Sequence, residues 1–335
     1  MAIPVPVGLK PRGSVRSAPA RRPGSVRRTA TMDFTWPDGM AGNTVLDGRA
    51  RDLSTDNDGN ATVLAQASLG VVSDPSRIIT EISSSPGLAA LAGLAGESAM
   101  SGFRRRLAQV AGDDEGVAGT PLYQLLDDVP GATLVSGSAW QRWYDMDDYR
   151  VFKSDVSQRV MRDVCTGYQD GSSALNPDGT LRWEQHRQPA VDIDDVGDDL
   201  AWHPRARPAE VTMCRARRID VWADGTVLHI DAFFQDSSTL PEGGRQSIHE
   251  YTLTAQADLE TGALQAVHPV PRVLPYGECP LAVTHVGALS GLPLRDLRGA
   301  VLDRLHGPLG CTHLNDMLRA LAAVPALARQ LPSAG

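Results

Sequence analysis

The sequence predicts an α+β fold made of two tandem copies of one unit, each an antiparallel sheet with helices packed on one face, joined by a long irregular segment. Three observations predict it. The segment Arg28–Val135 reads as a worn copy of Arg217–Leu327, and internal repetition sets an architecture before any finer reading. Within each copy, strand-like alternation around turns comes first and helical spacing follows, the order of an α+β domain rather than of a βαβ chain. Between the copies neither periodicity holds.

The elements follow in chain order. Residues 1–27 read as a basic tail. Residues 1–30 hold seven basic side chains and no acidic one, so a chain of net charge −8 has a body near −15. The tail has no apolar run, hence no secretory-signal core, and is expected to be solvated and disordered. The N-terminal unit, 28–144, opens with RRTATMD, turns at Pro37-Asp38-Gly39 and returns through VLDGRARDLST. The C-terminal unit, 213–331, answers with RRIDVWADG and VLHIDAFFQDSST. Further on, LAGESAMSGFRRRLAQV is answered by LSGLPLRDLRGAVLDRL, and GTPLYQLLDDV by CTHLNDMLRAL. In the second unit Leu228, Ile230, Ala232 and Phe234 form the more apolar strand face, opposite Val227, His229, Asp231 and Phe233. Helical spacing marks Leu294–Leu305 and Thr312–Leu321. The connection, 145–212, carries turn signals at Gly171-Ser172-Ser173 and Asn176-Pro177-Asp178-Gly179.

The two copies differ in chemistry. Cys311 and His313 fall where the first copy has Gly119 and Pro121, Cys279 where it has Ser85, and His249 opposite Gly59. Packing alone would not confine thiols and imidazoles to one copy, whereas a single site would. Thiolate and neutral imidazole are the donors that bind zinc or iron tightly. His249, Cys279 and Cys311 are therefore the expected metal ligands, zinc the expected ion, and iron or an iron–sulfur cluster the alternative. Cys311 precedes a helix whose N-terminus lowers a thiol pKa. Glu250 and His313 are the acid/base candidates. Cys165 and Trp202-His203 are candidates to close over the site, while Cys214 is assigned no role.

At these residues the chain resembles a bacterial family known as domain of unknown function 2889, through RRIDV, Ile248-His249-Glu250, Glu278-Cys279-Pro280 and GCTHLNDML. The resemblance covers about residues 213–330, and the earlier half looks like the longer, two-copy form. The second copy is also distantly similar to the IscU/NifU-type iron–sulfur scaffolds in order and spacing. That likeness implies a cluster-carrying fold, with His249 in place of the first cysteine and Gly310 in place of the histidine.

An acidic body argues against nucleic acid as the main partner, and no stretch approaches the ~18 apolar residues of a membrane span. Four cysteines without a signal read as reduced thiols in the cytoplasm. There is no Gly-rich phosphate loop, nucleophile elbow or CxxC pair. Three function classes stay open: a metal-dependent lyase or hydrolase acting on a small molecule in catabolism, aromatic molecules included; an iron–sulfur or sulfur carrier; and a non-catalytic module with a structural metal.

Overall fold

A computed structural model describes residues 3–332, apart from 112–114, 146, 148, 150–158, 184, 191–192, 194–196 and 206–209. Parts of the expected connection therefore lie outside the described residues. The chain is mixed helix and strand around one large antiparallel sheet. Strands β1 (Ser25–Thr35), β2 (Thr44–Thr55), β3 (Ala61–Ser73) and β4 (Ile79–Ser85) form one meander, and β6 (Met213–Asp224), β7 (Val227–Thr239), β8 (Arg245–Asp258) and β9 (Leu264–Val273) form another. A two-residue strand, β5 (Gln188–Pro189), pairs with β8 beyond the end of β9. The order across the sheet is β4-β3-β2-β1-β6-β7-β8, with β9 on the far side of β8.

Two separate sheets were expected, and here the structure corrects the sequence reading. β1 and β6 pair antiparallel from Ser25/Trp222 to Phe34/Met213, so the meanders fuse into a single sheet. Each would otherwise leave its first strand as a bare edge of unpaired N–H and C=O groups, and pairing the two edges removes both.

Helices follow each meander: α1 (Phe103–Ala111), α2 (Glu115–Ala118) and α3 (Pro121–Ser136) after the first, then a 3₁₀ helix (Cys279–Leu289), α4 (Leu297–Arg304), α5 (Thr312–Ala320) and α6 (Val324–Ala328) after the second. They pack on one face. Leu228, Ile230, Ala232 and Phe234 enter a core with Leu297, Val301, Leu314 and Leu318, as their alternation predicts. Ala30, Met32, Phe34 and Leu46 pack against Leu122, Leu125, Leu126 and Val129 of α3 in a second core. Thr120 caps α3, accepting from the Tyr123 N–H, with Pro121 at its first position.

Between the two helical sets the contact is ionic. Arg217 of β6 reaches Asp128 of α3 (2.6 Å), Arg104 of α1 reaches Asp316 of α5 (2.6 Å), and Arg319 of α5 reaches Asp127 of α3 (2.6 Å). Gly131 is required here, because a Cβ would run into the Asp316 carboxylate and the Arg215 guanidinium.

The other sheet face is covered by irregular chain. Trp202 and Ala201 pack on Cys214, Ala216 and Phe233. The basic segment expected as a solvated tail is docked instead. The N–H groups of Arg12 and Gly13 donate to the Pro271 and Arg272 carbonyls, while the Val15 N–H and Ser14 hydroxyl donate to Glu250 at 2.6 Å. Its charges are matched by acids of the body: Arg21 pairs with Asp198 (2.8 Å) and Arg27 with Asp220 (2.5 Å).

Candidate metal centre

The site begins as a register position. On β7 and β8, Asp236 and His249 are direct cross-strand partners, and a bulge follows at once between Asp236 and Ser237. Both side chains point to the helical face. His313 enters from above, from the second residue of α5, where Cys311 is the N-cap. The two imidazoles stack with ring centroids 3.4 Å apart and 14° between planes. His249 Nδ1 lies 3.5 Å and His313 Nε2 3.6 Å from the same oxygen, Asp236 Oδ2. Neither contact has hydrogen-bond geometry, and both ring nitrogens are buried without a partner. Asp236, His249 and His313 are the one group of three His, Cys, Asp or Glu among the described residues whose donor atoms all lie within 4.8 Å of one another.

Arg215 sets the electrostatics. Its Nε and Nη2 hold the two Asp236 oxygens at 2.8 and 3.0 Å, and its Nη1 holds Asp316 at 2.8 Å. Burial pushes the Asp236 carboxyl up, but the charge and the two hydrogen bonds of Arg215 override it and hold the group well below the usual carboxylate range. Burial pushes His249 down and, with His249 stacked on it, His313 further down. The result is an ionised carboxylate beside two neutral imidazoles.

Around this trio lies a belt of thiols and phenols. Cys311 Sγ is 4.0 Å from His313 Nδ1 and accepts from the Tyr251 hydroxyl at 3.7 Å. The connecting segment closes over it: Thr166 donates its N–H and its hydroxyl to the Gly310 carbonyl, both at 2.8 Å. Gly167 lies against Cys279, so closely that a Cβ there would stand 2.5 Å from its sulfur. The lowered pKa expected at Cys311 is not what the structure gives. Burial raises it, outweighing the N–H groups of Leu314 and His313. Burial likewise raises Cys165 to about 12 and Cys279 well above its ordinary value.

Of the expected ligands, then, His249 is in the cluster, while Cys311 borders it on the far nitrogen of His313. Cys279 is buried at the head of its 3₁₀ helix and is not one of the clustered donors. His313, expected as acid/base, stands among the ligand-type atoms. Glu250 faces the opposite side of the sheet, accepting from Ser14, Val15 and Gln235. His203 is also on that side, between the hydroxyls of Thr29 (2.9 Å) and Thr31 (2.8 Å), whereas Cys165 does belong to the segment that covers the site. Asp236 was missed. Its signal was the D-S-S-T and D-L-S-T match between the two halves, read as repetition and not as chemistry.

Residues 213–327 match the family described as protein of unknown function (DUF2889). No curated protein matches the chain. A solved structure titled as that of a lipopolysaccharide binding protein aligns over 77% of this chain and 85% of that one, at 8% identity and a TM-score of 0.12, from which no common fold follows. Among the described residues no helix is long and apolar enough to cross a membrane.

Proposed function

We propose that Asp236, His249 and His313 hold one divalent metal ion, zinc or iron(II), and that the chain is a metal-dependent lyase or hydrolase acting on a small molecule. The observation that carries this reading is the pair of buried imidazole nitrogens without partners, both beside one carboxylate oxygen. A buried polar nitrogen left unmatched costs on the order of 1–3 kcal/mol. A cation between the rings would use both lone pairs and the carboxylate charge, and neutral imidazole is the ligating form. The stacked rings must tilt for both lone pairs to converge on it. Two histidines and a carboxylate suit catalytic zinc and non-haem iron(II), and three protein ligands leave positions for substrate. When bound, the ion would supply Lewis acidity to a substrate oxygen. Arg215 would keep Asp236 ionised and oriented, and Tyr251 and Cys311 would border the reacting group.

The carrier reading is less well supported, because the three thiols around the site are pushed toward their protonated forms and do not cluster at ligand distance with a third donor. The likeness to iron–sulfur scaffolds therefore assigns no role here. A metal-free reading of the same residues rests on the row Cys311–His313–Asp236, at 4.0 and 3.6 Å, an order of nucleophile, base and orienting acid. We read the two halves as tandem copies of one unit, since each runs as a four-stranded meander followed by helices and places an Arg–Asp cross-strand pair just before a bulge, the second pair using Arg215 in place of the Arg217 that the sequence match sets against Arg28.

The test is elemental analysis of protein made without a polyhistidine tag. About one zinc or iron per chain is expected, falling at least tenfold in His249→Ala and His313→Ala. Metal-free protein whose melting temperature does not respond to added zinc or iron(II) would overturn the proposal. Rapid alkylation of Cys311 in such protein would favour the metal-free row.

A further inference from the structure

On the helical side, lined by none of Asp236, His249 and His313, a cavity of about 450 Å³ opens where the two halves meet. Among the described residues its lining holds six guanidinium groups, Arg104, Arg105, Arg295, Arg298, Arg319 and Arg329, and one carboxylate, Asp127. The chain as a whole has net charge −8, so this is a local reversal of sign. The choice of arginine over lysine carries no weight in a chain with only two lysines; the charge count and the geometry do.

Three of the six arginines share that one acid. Arg319 stands 2.6 Å, Arg104 3.2 Å and Arg298 3.9 Å from Asp127. Arg104 has a second acid in Asp316, but Arg298 otherwise finds only the Ala118 carbonyl and the face of Tyr123, 4.6 Å away. The Nε atoms of Arg298 and Arg319 are buried without a hydrogen-bond partner. Burial, with Arg319 and Arg28 nearby, lowers the pKa of the Arg298 guanidinium from its ordinary value. Arg105 and Arg295 are exposed at the rim, Arg295 with only Asp296 at 3.9 Å. Like charges converging on a half-buried hollow oppose folding unless an anion joins them.

The geometry points to a binding site for a phosphate chain of two or three phosphoryl groups, taken between α1 of the first half and α4, α5 and the C-terminal end of the second. A chain of that length presents several negative oxygens a few ångströms apart, which suits guanidinium groups arriving from separate elements and donating paired N–H bonds to them. The volume lies within the usual range for small-ligand sites. Because both halves supply cations, neither forms the site alone.

The experiment is calorimetric titration of the full chain with inorganic tripolyphosphate, ATP and coenzyme A at low salt. The charge-reversed pair Arg105→Glu/Arg295→Glu is compared with Arg49→Glu/Arg142→Glu, an equal change at exposed sites elsewhere. Leu302→Trp, at the cavity wall, fills the space without altering charge. Saturable tripolyphosphate binding is expected, weakened about tenfold or more in the first pair and in Leu302→Trp but not in the second pair. ATP or coenzyme A binding alongside it identifies a phosphate chain carrying an organic group, and tripolyphosphate alone identifies free polyphosphate. No saturable binding of any of the three, or equal weakening in the two charge-reversed pairs, overturns the proposal.

Discussion

Each half of the sheet carries a buried Arg–Asp pair across its first two strands, just before a bulge, and only one half adds imidazoles to it. In the first half Arg28 of β1 stands directly opposite Asp52 of β2, holding it at 2.7 Å through both Nε and Nη2, and a bulge follows between Asp52 and Leu53. In the second half Arg215 of β6 stands opposite Asp236 of β7, again through two bonds, with a bulge after Asp236. The next strand over then differs. Ala65 of β3 faces Asp52, whereas His249 of β8 faces Asp236. The buried Arg–Asp pair is thus part of how this sheet is built, present whether or not a donor cluster sits on it. What singles out the second half is one strand position and one helix position, His249 and His313.

The harshest way to break the comparison is to remove the cations. Taking one partner from a buried ion pair costs roughly 3–5 kcal/mol. Arg28→Met, which strands Asp52, is expected near the lower figure. Arg215→Met strands Asp236 and Asp316 together and stands 3.8 Å from Asp128, and is expected at or above the upper one in urea unfolding. Equal losses would mean that the helical acids draw nothing from Arg215.

Next in size is the response to metal removal. If the ion is present at about 1,000 times its dissociation constant, chelation should lower wild-type stability by about 4 kcal/mol. Asp52→Asn should keep that response and Asp236→Asn lose it, although both variants start out less stable. A chelator response that survives Asp236→Asn assigns the ion elsewhere.

A third test addresses the seam the halves share. His203 lies over β1, and burial, with Arg51, Arg205 and Arg49 adding to it, lowers its pKa to about 3. Its folded pKa is below the unfolded value, so the unfolded chain takes up the extra proton. The penalty is absent above about pH 6.5, grows as pH falls, and is complete near pH 3. At about 1.4 kcal/mol per unit, the group should cost roughly 3 kcal/mol between pH 6.5 and 4. His203→Asn should therefore lose less stability than wild type over that interval. Parallel curves would show that His203 is charged in place.

The smallest effect is expected at the edge of the cluster. Cys311 faces the nitrogen of His313 that points away from Asp236, so Cys311→Ser should weaken metal binding by about tenfold, as for a group that orients a ligand, rather than abolish it.

Much of this was legible beforehand. The alternation of Leu228 to Phe234 placed the core face, and the helical spacing of Leu294 to Leu305 and of Thr312 to Leu321 placed two helices, the first running one 3₁₀ turn ahead of α4, because burial enforces those periods directly. His249 and His313 stood out because the first half of the chain has no imidazole to match them. Glu250 was misplaced by parity: next to His249 on a strand, it must face the other way. Cys279 and Cys311 carry ligand chemistry by type, but the depth at which they are buried holds their protons. Asp236 was hidden because an acid opposite an arginine reads as a structural pair, and it is one. The docking of Arg12 to Val15 and the fusion of β1 with β6 depend on edges that exist only once both sheets have formed, which no local pattern encodes.

That fusion also governs how the polypeptide can be cut. A fragment trimmed to residues 213–327 would carry the whole donor cluster yet bare the full length of β6, while Arg217 and Arg319 would lose their counter-ions on α3. Such a piece invites self-pairing and precipitation, so expression trials should retain the entire chain and expect it to melt in a single cooperative step.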